Sequence, residues 1–187
     1  MYNKKEVMTA TWQCPGEEVT FSTLEVFNNI KKFVKDPDYI QYKHNVSIGC
    51  DSQMIGQRFQ FISVVSVHRV GKGGLYFFCK DYVPREKFPV GVQKLRMFDE
   101  VARSCAVGQE FKNSVWIDPE IHIDASPPYN SEEFTAKFSE QLRGYVQAYG
   151  FVCKLKPDSY TAHAIADRHT KKRSRKRRLQ RKKNLGK

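Results

Sequence analysis

The chain has 187 residues, enough for one well-buried core with a short appendage. Hydrophobic residues make up 40% and aromatic residues 13%, a composition that excludes wholesale disorder. The net charge of +12 is localised: residues 171–187 hold eleven of the 32 basic side chains and no acid, leaving 21 basic against 20 acidic before them. A nearly neutral domain therefore carries a polycationic tail.

No N-terminal stretch has the basic-then-apolar form of a secretory signal, and no apolar run approaches spanning length, so no membrane role is expected. Cys14, Cys50, Cys79, Cys105 and Cys153 form no CxxC pair, which favours reduced thiols and a cytoplasmic setting over a metal ribbon or disulfide framework.

Residues 1–19 carry little pattern beyond the turn signal Cys14-Pro15-Gly16. Ser22 with Glu25 three residues on is a capping-box signature. Leu24, Val26, Phe27, Ile30, Phe33 and Val34 then recur at helical spacing, predicting an amphipathic helix over 22–35 that Asp36-Pro37-Asp38 stops. In VSIGCDSQ (46–53), Val46, Ile48 and Cys50 alternate with Ser47, Gly49 and Asp51, the period of a half-buried strand. That strand delivers Asp51, an acid costly to desolvate unless a cation or donor meets it. Taken alone, Asp51 also reads as a turn cap. Residues 60–69 and 75–83 are two more strands, rich in β-branched and aromatic residues and joined by Gly71-Lys72-Gly73-Gly74.

Residues 92–107 read as a helix, followed by one strand position in the apolar runs 115–117 and 121–124 (IHID), separated by Asp118-Pro119. A loop with Pro127-Pro128 leads to a helix from Ser131 to Tyr149, ended by Gly150. A short strand at 151–155 precedes Pro157-Asp158-Ser159, which opens a last helix over 160–170 with Asp158 as its cap. The order β-β-β-α-β-α-β-α predicts an α/β domain over 44–170, a five-stranded mixed sheet covered by helices. Residues 1–43 add one amphipathic helix packed on it, and 171–187 are the polybasic tail.

Asp124 ends the strand IHID, as Asp51 ends its own apolar run. If the two strands are neighbours, both acids stand at one end of the sheet, where ligands favour open α/β folds. Glu100 and Asp99 lie on the helix before IHID, and Asp167 on the last helix. On the first of these helices Leu95, Phe98, Ala102, Cys105 and Ala106 form an apolar stripe opposite Glu100, while a weaker stripe of Met97, Ser104, Val107 and Phe111 includes it. Four converging carboxylates repel one another unless cations intervene. Oxygen-only ligands suit Mg²⁺ or Mn²⁺. Two such ions, roughly 4 Å apart, support in-line hydrolysis of a phosphodiester.

At this point IGCDSQ, GKGGLYFF, EVARS, IHID and KPDSYTAHAIADRHTK resemble the bacterial YkuK family of ribonuclease H-like proteins, over roughly residues 18–171. The resemblance implies the ribonuclease H-like fold and a metal-dependent nuclease. Carried over residue by residue, it implies that Asp51 bridges two ions, that Asp167 completes the water-activating one, and that Glu100 and Asp124 complete the other. Glu100 is chosen over Asp99 on the EVARS match. Cys50 departs from the family, whose members typically carry threonine or a similar residue there.

His122 shares a strand face with Asp124 and His163 precedes Asp167 by one turn, so either could orient a ligand or shuttle a proton. A His/Asp metal site of His122, Asp124, His163 and Asp167 is the competing arrangement, but no HxH or HExxH spacing supports it. In the tail, Lys171, Lys172, Arg173, Arg175, Lys176, Arg177, Arg178, Arg181, Lys182 and Lys183 are expected to bind RNA, DNA or a hybrid through counterion release. Without aromatics the tail offers no platform for base stacking. The rival expectation is a non-catalytic nucleic-acid-binding protein that keeps the fold and the tail.

Overall fold

Strands rich in β-branched and aromatic residues build the centre of the molecule. The computed structural model describes residues 3–88, 93–129 and 134–169, with His163 described by its backbone alone. β3 (His44–Ile55), β4 (Arg58–Arg69) and β5 (Gly73–Pro84) form an antiparallel meander. Gly56 (φ 63°) and Gly71 (φ 74°) supply the left-handed backbone at its two turns. Its register aligns Cys50 with Ser63 and Cys79, and Asp51 with Ile62 and Lys80. β6 (Glu120–His122) runs parallel to β3, and β7 (Val152–Lys154) parallel to β6.

On the far edge, β1 (Thr11–Gln13) pairs with β5, and β2 (Thr20–Ser22) pairs with β1. Among the described residues the sheet therefore has seven strands, ordered β2-β1-β5-β4-β3-β6-β7, where five were expected. The two extra strands, TWQ and TFS, are three residues each with one apolar residue apiece, so no periodic or apolar run marks them.

Strand alternation divides the side chains between two faces. Val46, Ile48, Val65, Val67, Phe77 and Cys79 join the main core under α1 (Lys4–Met8), α2 (Thr23–Val34), α3 (Gln93–Val115) and α4 (Ser139–Ala148). The Ser22–Glu25 capping box starts α2 as its sequence predicts. Phe27 of α2 meets Phe111 of α3 edge-on at 5.1 Å, and truncating Phe27 to Ala is expected to cost about 3–5 kcal/mol. Trp12 donates its indole N–H to Thr23 Oγ1 at 2.9 Å, and the Thr23 hydroxyl donates to Val7 O at 2.6 Å. The first 43 residues thus give two helices and two strands to the same core and sheet.

α3 runs two turns beyond its expected end because Val107, Phe111 and Val115 stay buried along it. It takes in part of the apolar run at 115–117. α4 is preceded by a 3₁₀ turn, Phe134–Phe138, and ends before Gly150 (φ 79°) as expected.

Among the described residues only the last helix covers the opposite face. It is π-helical over Thr161–Ala166, where 3.6 residues per turn were expected. Ser47 Oγ, on β3, lies 2.7 Å from Thr161 Oγ1, 2.9 Å from Ser66 Oγ and 3.0 Å from the Tyr160 hydroxyl. This buried hydroxyl cluster fixes the start of the helix on the sheet. Ala166 then packs with Ile62, Val64 and Phe78, and the His169 ring stacks on Phe78 at 3.7 Å. No helix among the described residues is long and apolar enough to cross a membrane.

Candidate active site

Asp51 lies inside β3, not at its end, because the β3–β4 ribbon continues four residues further to Ile55. The strand that stops beside it is β6. Its register pairs Ser47 with Glu120, Ile48 with Ile121 and Gly49 with His122. Continued two residues beyond its last pair, the same register would bring Asp124 level with Asp51. Asp124 is two residues past the end of β6, yet its backbone is fixed. Ile123 N–H donates to Lys154 O at 2.9 Å, and Lys156 N–H donates to Ala125 O at 3.1 Å.

Glu100 comes from α3, on the other side of the sheet, and is buried. The Ser52 hydroxyl, next in sequence to Asp51 and on the α3 face, donates to Glu100 Oε1. Arg96, one helical turn earlier, stands 3.8 Å from the same oxygen and donates to Ser52 O at 2.6 Å. Burial, and next the negative field of Asp51, push the Glu100 carboxyl up to about 8, with a smaller push from Asp124; Arg96 and the Ser52 hydroxyl oppose them. Three acids from α3, β3 and the segment after β6 therefore share one electrostatic environment. Asp99 faces elsewhere: it accepts from Arg103 at 3.0 Å, and Arg103 also donates to Asp81 at 2.7 Å.

Asp167 is half-buried on the last helix. It follows Ala166, which packs in the same cluster as Ile62, the cross-strand partner of Asp51. The π-helical turns matter for this placement. Their i→i+5 ladder brings Asp167 near the line of Ala162, whereas 3.6 residues per turn would leave it about 140° around the helix.

His122 is buried, and its Nδ1 accepts the Thr161 backbone N–H at 3.2 Å. It holds the start of the last helix from the neighbouring strand. Asp158, exposed and outside the helix, makes no capping bond there, so the expected Asp158 cap is replaced by His122. The side chain of His163 and the basic tail lie outside the described residues. Burial pushes the Cys50 thiol well up, so the residue beside Asp51 offers no thiolate at neutral pH.

Three residues next to the acids escaped sequence reasoning: Ser52, Arg96 and Lys156, whose Nζ is 2.6 Å from Asp124 Oδ1. Each had a signal: Ser52 adjoins Asp51, Arg96 precedes Glu100 by four, and Lys156 opens KPDSY. Among the described residues no group of three or more His, Cys, Asp and Glu is drawn tightly enough to hold a metal ion. Arg96 and Lys156 supply positive charge in this arrangement instead. The donor chemistry nonetheless fits Mg²⁺ or Mn²⁺: the ligands are all oxygen, and a carboxyl held up to about 8 by its neighbours is one that added positive charge would ionise.

The family model described as Ribonuclease H-like matches residues 25–171. The chain belongs to the ribonuclease H-like family. The match encloses all four acids of this ribonuclease H-like protein, and the resemblance read from its motifs is borne out. A curated relative, the uncharacterized protein YkuK of Bacillus subtilis (strain 168), is 28% identical over 171 residues, covering 82% of this chain and 92% of the relative. No solved structure matches the chain.

Proposed function

We propose that this ribonuclease H-like protein is a divalent-metal-dependent phosphodiesterase that hydrolyses RNA or DNA. The observation that supports the reading is the convergence of three acids: buried Glu100 is bonded by Ser52, the neighbour of Asp51, and feels the charge of both Asp51 and Asp124. Such a trio is costly as bare carboxylates and useful as a cation site. Asp51, Glu100, Asp124 and Asp167 would hold Mg²⁺ or Mn²⁺, which when bound supplies an activated water and stabilises the leaving oxygen. Ser52 and Arg96 orient Glu100, and the β3–β6 pairing ends two residues short of the two aspartates. The basic tail would hold the polyanion without reading its bases. Five free cysteines accord with a reducing, cytoplasmic setting.

Hybrid, duplex, single-stranded and branched substrates, incubated with and without Mn²⁺, test the reading. The expected result is Mn²⁺-dependent cleavage that leaves 5′-phosphate and 3′-hydroxyl ends. Asp51→Asn is expected to lower the rate at least about a hundredfold. Cleavage by that variant at the wild-type rate would overturn the assignment.

The second reading is a nucleic-acid-binding module without turnover. One observation favours it: Arg96 and Lys156 already pair with Glu100 and Asp124. Tight binding across the same panel, with no metal-dependent cleavage, is its signature.

A further inference from the structure

We propose that Lys156 is the resident counter-ion of Asp124: a divalent cation displaces its ammonium, which then contacts the substrate phosphate. The inference rests on the metal-site reading above and assigns a positioning role to a residue of this chain.

The Lys156 ammonium is 2.6 Å from Asp124 Oδ1, and both side chains are partly open to solvent, at 39% and 25%. An ammonium at that oxygen and a divalent ion on the same carboxylate repel each other, so the two compete for Asp124. The backbone of Lys156 cannot leave. Its N–H is bonded to Ala125 O, one residue past Asp124, and Asp158 N–H closes a turn onto Leu155 O at 2.9 Å. Only the flexible stem can move. An ammonium released from Asp124 therefore stays beside the acids, and the anion that enters such a site is the phosphodiester.

Lys154 provides the matched comparison. It lies two residues earlier, as the last residue of the edge strand β7, has the same 39% side-chain exposure, and pairs with Glu120 at 3.8 Å. Glu120 is not one of the four acids. Removing either lysine subtracts the same charge from the same neighbourhood, but of the two only Lys156 touches Asp124.

Calorimetric titration of the full chain with Mn²⁺ alone, with no substrate, separates the possibilities. Lys156→Met is expected to bind Mn²⁺ about three- to tenfold more tightly than wild type, and Lys154→Met within about twofold of it. Lys156→Gln serves as a second neutral variant should Met disturb the fold. Equal affinity in wild type and Lys156→Met, or an equal gain in Lys154→Met, overturns this inference and leaves the metal site standing. No Mn²⁺ binding by any of the proteins overturns both. With Mn²⁺ and an uncleavable oligonucleotide present, Lys156→Met is expected to reduce the log–log salt slope of binding by about 0.7 to 0.9, and Lys156→Arg to preserve it. An unchanged slope in Lys156→Met overturns the phosphate contact.

Discussion

Burial and the field of Asp51 push the Glu100 carboxyl up to about 8, so it favours its protonated form at pH values where an ordinary carboxyl is ionised. Its folded value of about 8 lies above the ordinary 4.5, so between those limits the native state binds more protons than the unfolded chain. Metal-free stability is therefore expected to fall as pH rises from about 5 to 8 and to level off above. Glu100→Gln should remove that slope, and Mn²⁺ should flatten it in wild type; melting temperatures in a pH series with a chelator, then with Mn²⁺, are the measurement. The choice between Glu100 and Asp99 shows what residue patterns can and cannot tell. The stronger apolar stripe of α3 pointed away from Glu100, but its member Leu95 is half exposed. The weaker stripe of Met97, Ser104, Val107 and Phe111 is the buried one, and Glu100 lies on it. Periodicity misled here because α3 packs against the sheet and against other helices, so apolar residues ring much of its circumference. Lys156 was hidden for another reason: a lysine in a turn carries no pattern until the strand beside it is known.

At the scale of elements, the contact that sets the site is the crossing of the last helix over β3. A Cβ at Gly49 would come 2.8 Å from Ala162 N and 3.0 Å from its Cα, both backbone atoms that cannot give way cheaply. Gly49→Ala is expected to push the helix off the sheet at a cost of about 1–3 kcal/mol. For a chain of this size that is a fall of roughly 2–10 °C in melting temperature. Because Asp167 rides on the same helix, turnover should fall more than stability alone explains, which thermal melts and single-turnover rates measured together would establish. A melting temperature equal to wild type would show that the crossing is looser than described. The strands were legible wherever they were long and alternating, as in β3, β4 and β5. β6 and β7, three residues each, were legible from the apolar runs around them, whereas β1 (TWQ) and β2 (TFS) lie in no such run. The π-helical turns were invisible because the sequence pattern was measured against a 3.6-residue period.

For the whole molecule, the sequence sets a nearly neutral stretch of 170 residues against seventeen C-terminal residues that hold eleven basic side chains and no acid. Deleting residues 171–187 is expected to weaken nucleic-acid binding and flatten its salt dependence while sparing turnover at saturating substrate. Binding titrations over a range of salt, paired with saturating-substrate rates, read both effects. A loss of saturating turnover would instead place the tail within the catalytic machinery. The ribonuclease H-like order of strands and helices was readable because β3, β4, β5 and α3 are long, and because the short β6 and β7 lie in the apolar runs IHID and FVCKL. The convergence of the acids was not readable from spacing alone, since it depends on β6 choosing β3 as its neighbour. Anomalous diffraction from crystals grown with Mn²⁺ tests most directly whether Asp51, Glu100 and Asp124 form one cation site. The expected result is an anomalous peak about 2.1 Å from carboxylate oxygens of Asp51 and Asp124, with the Lys156 ammonium moved off Asp124. Saturating Mn²⁺ with no peak there, and Lys156 still on Asp124, would contradict it.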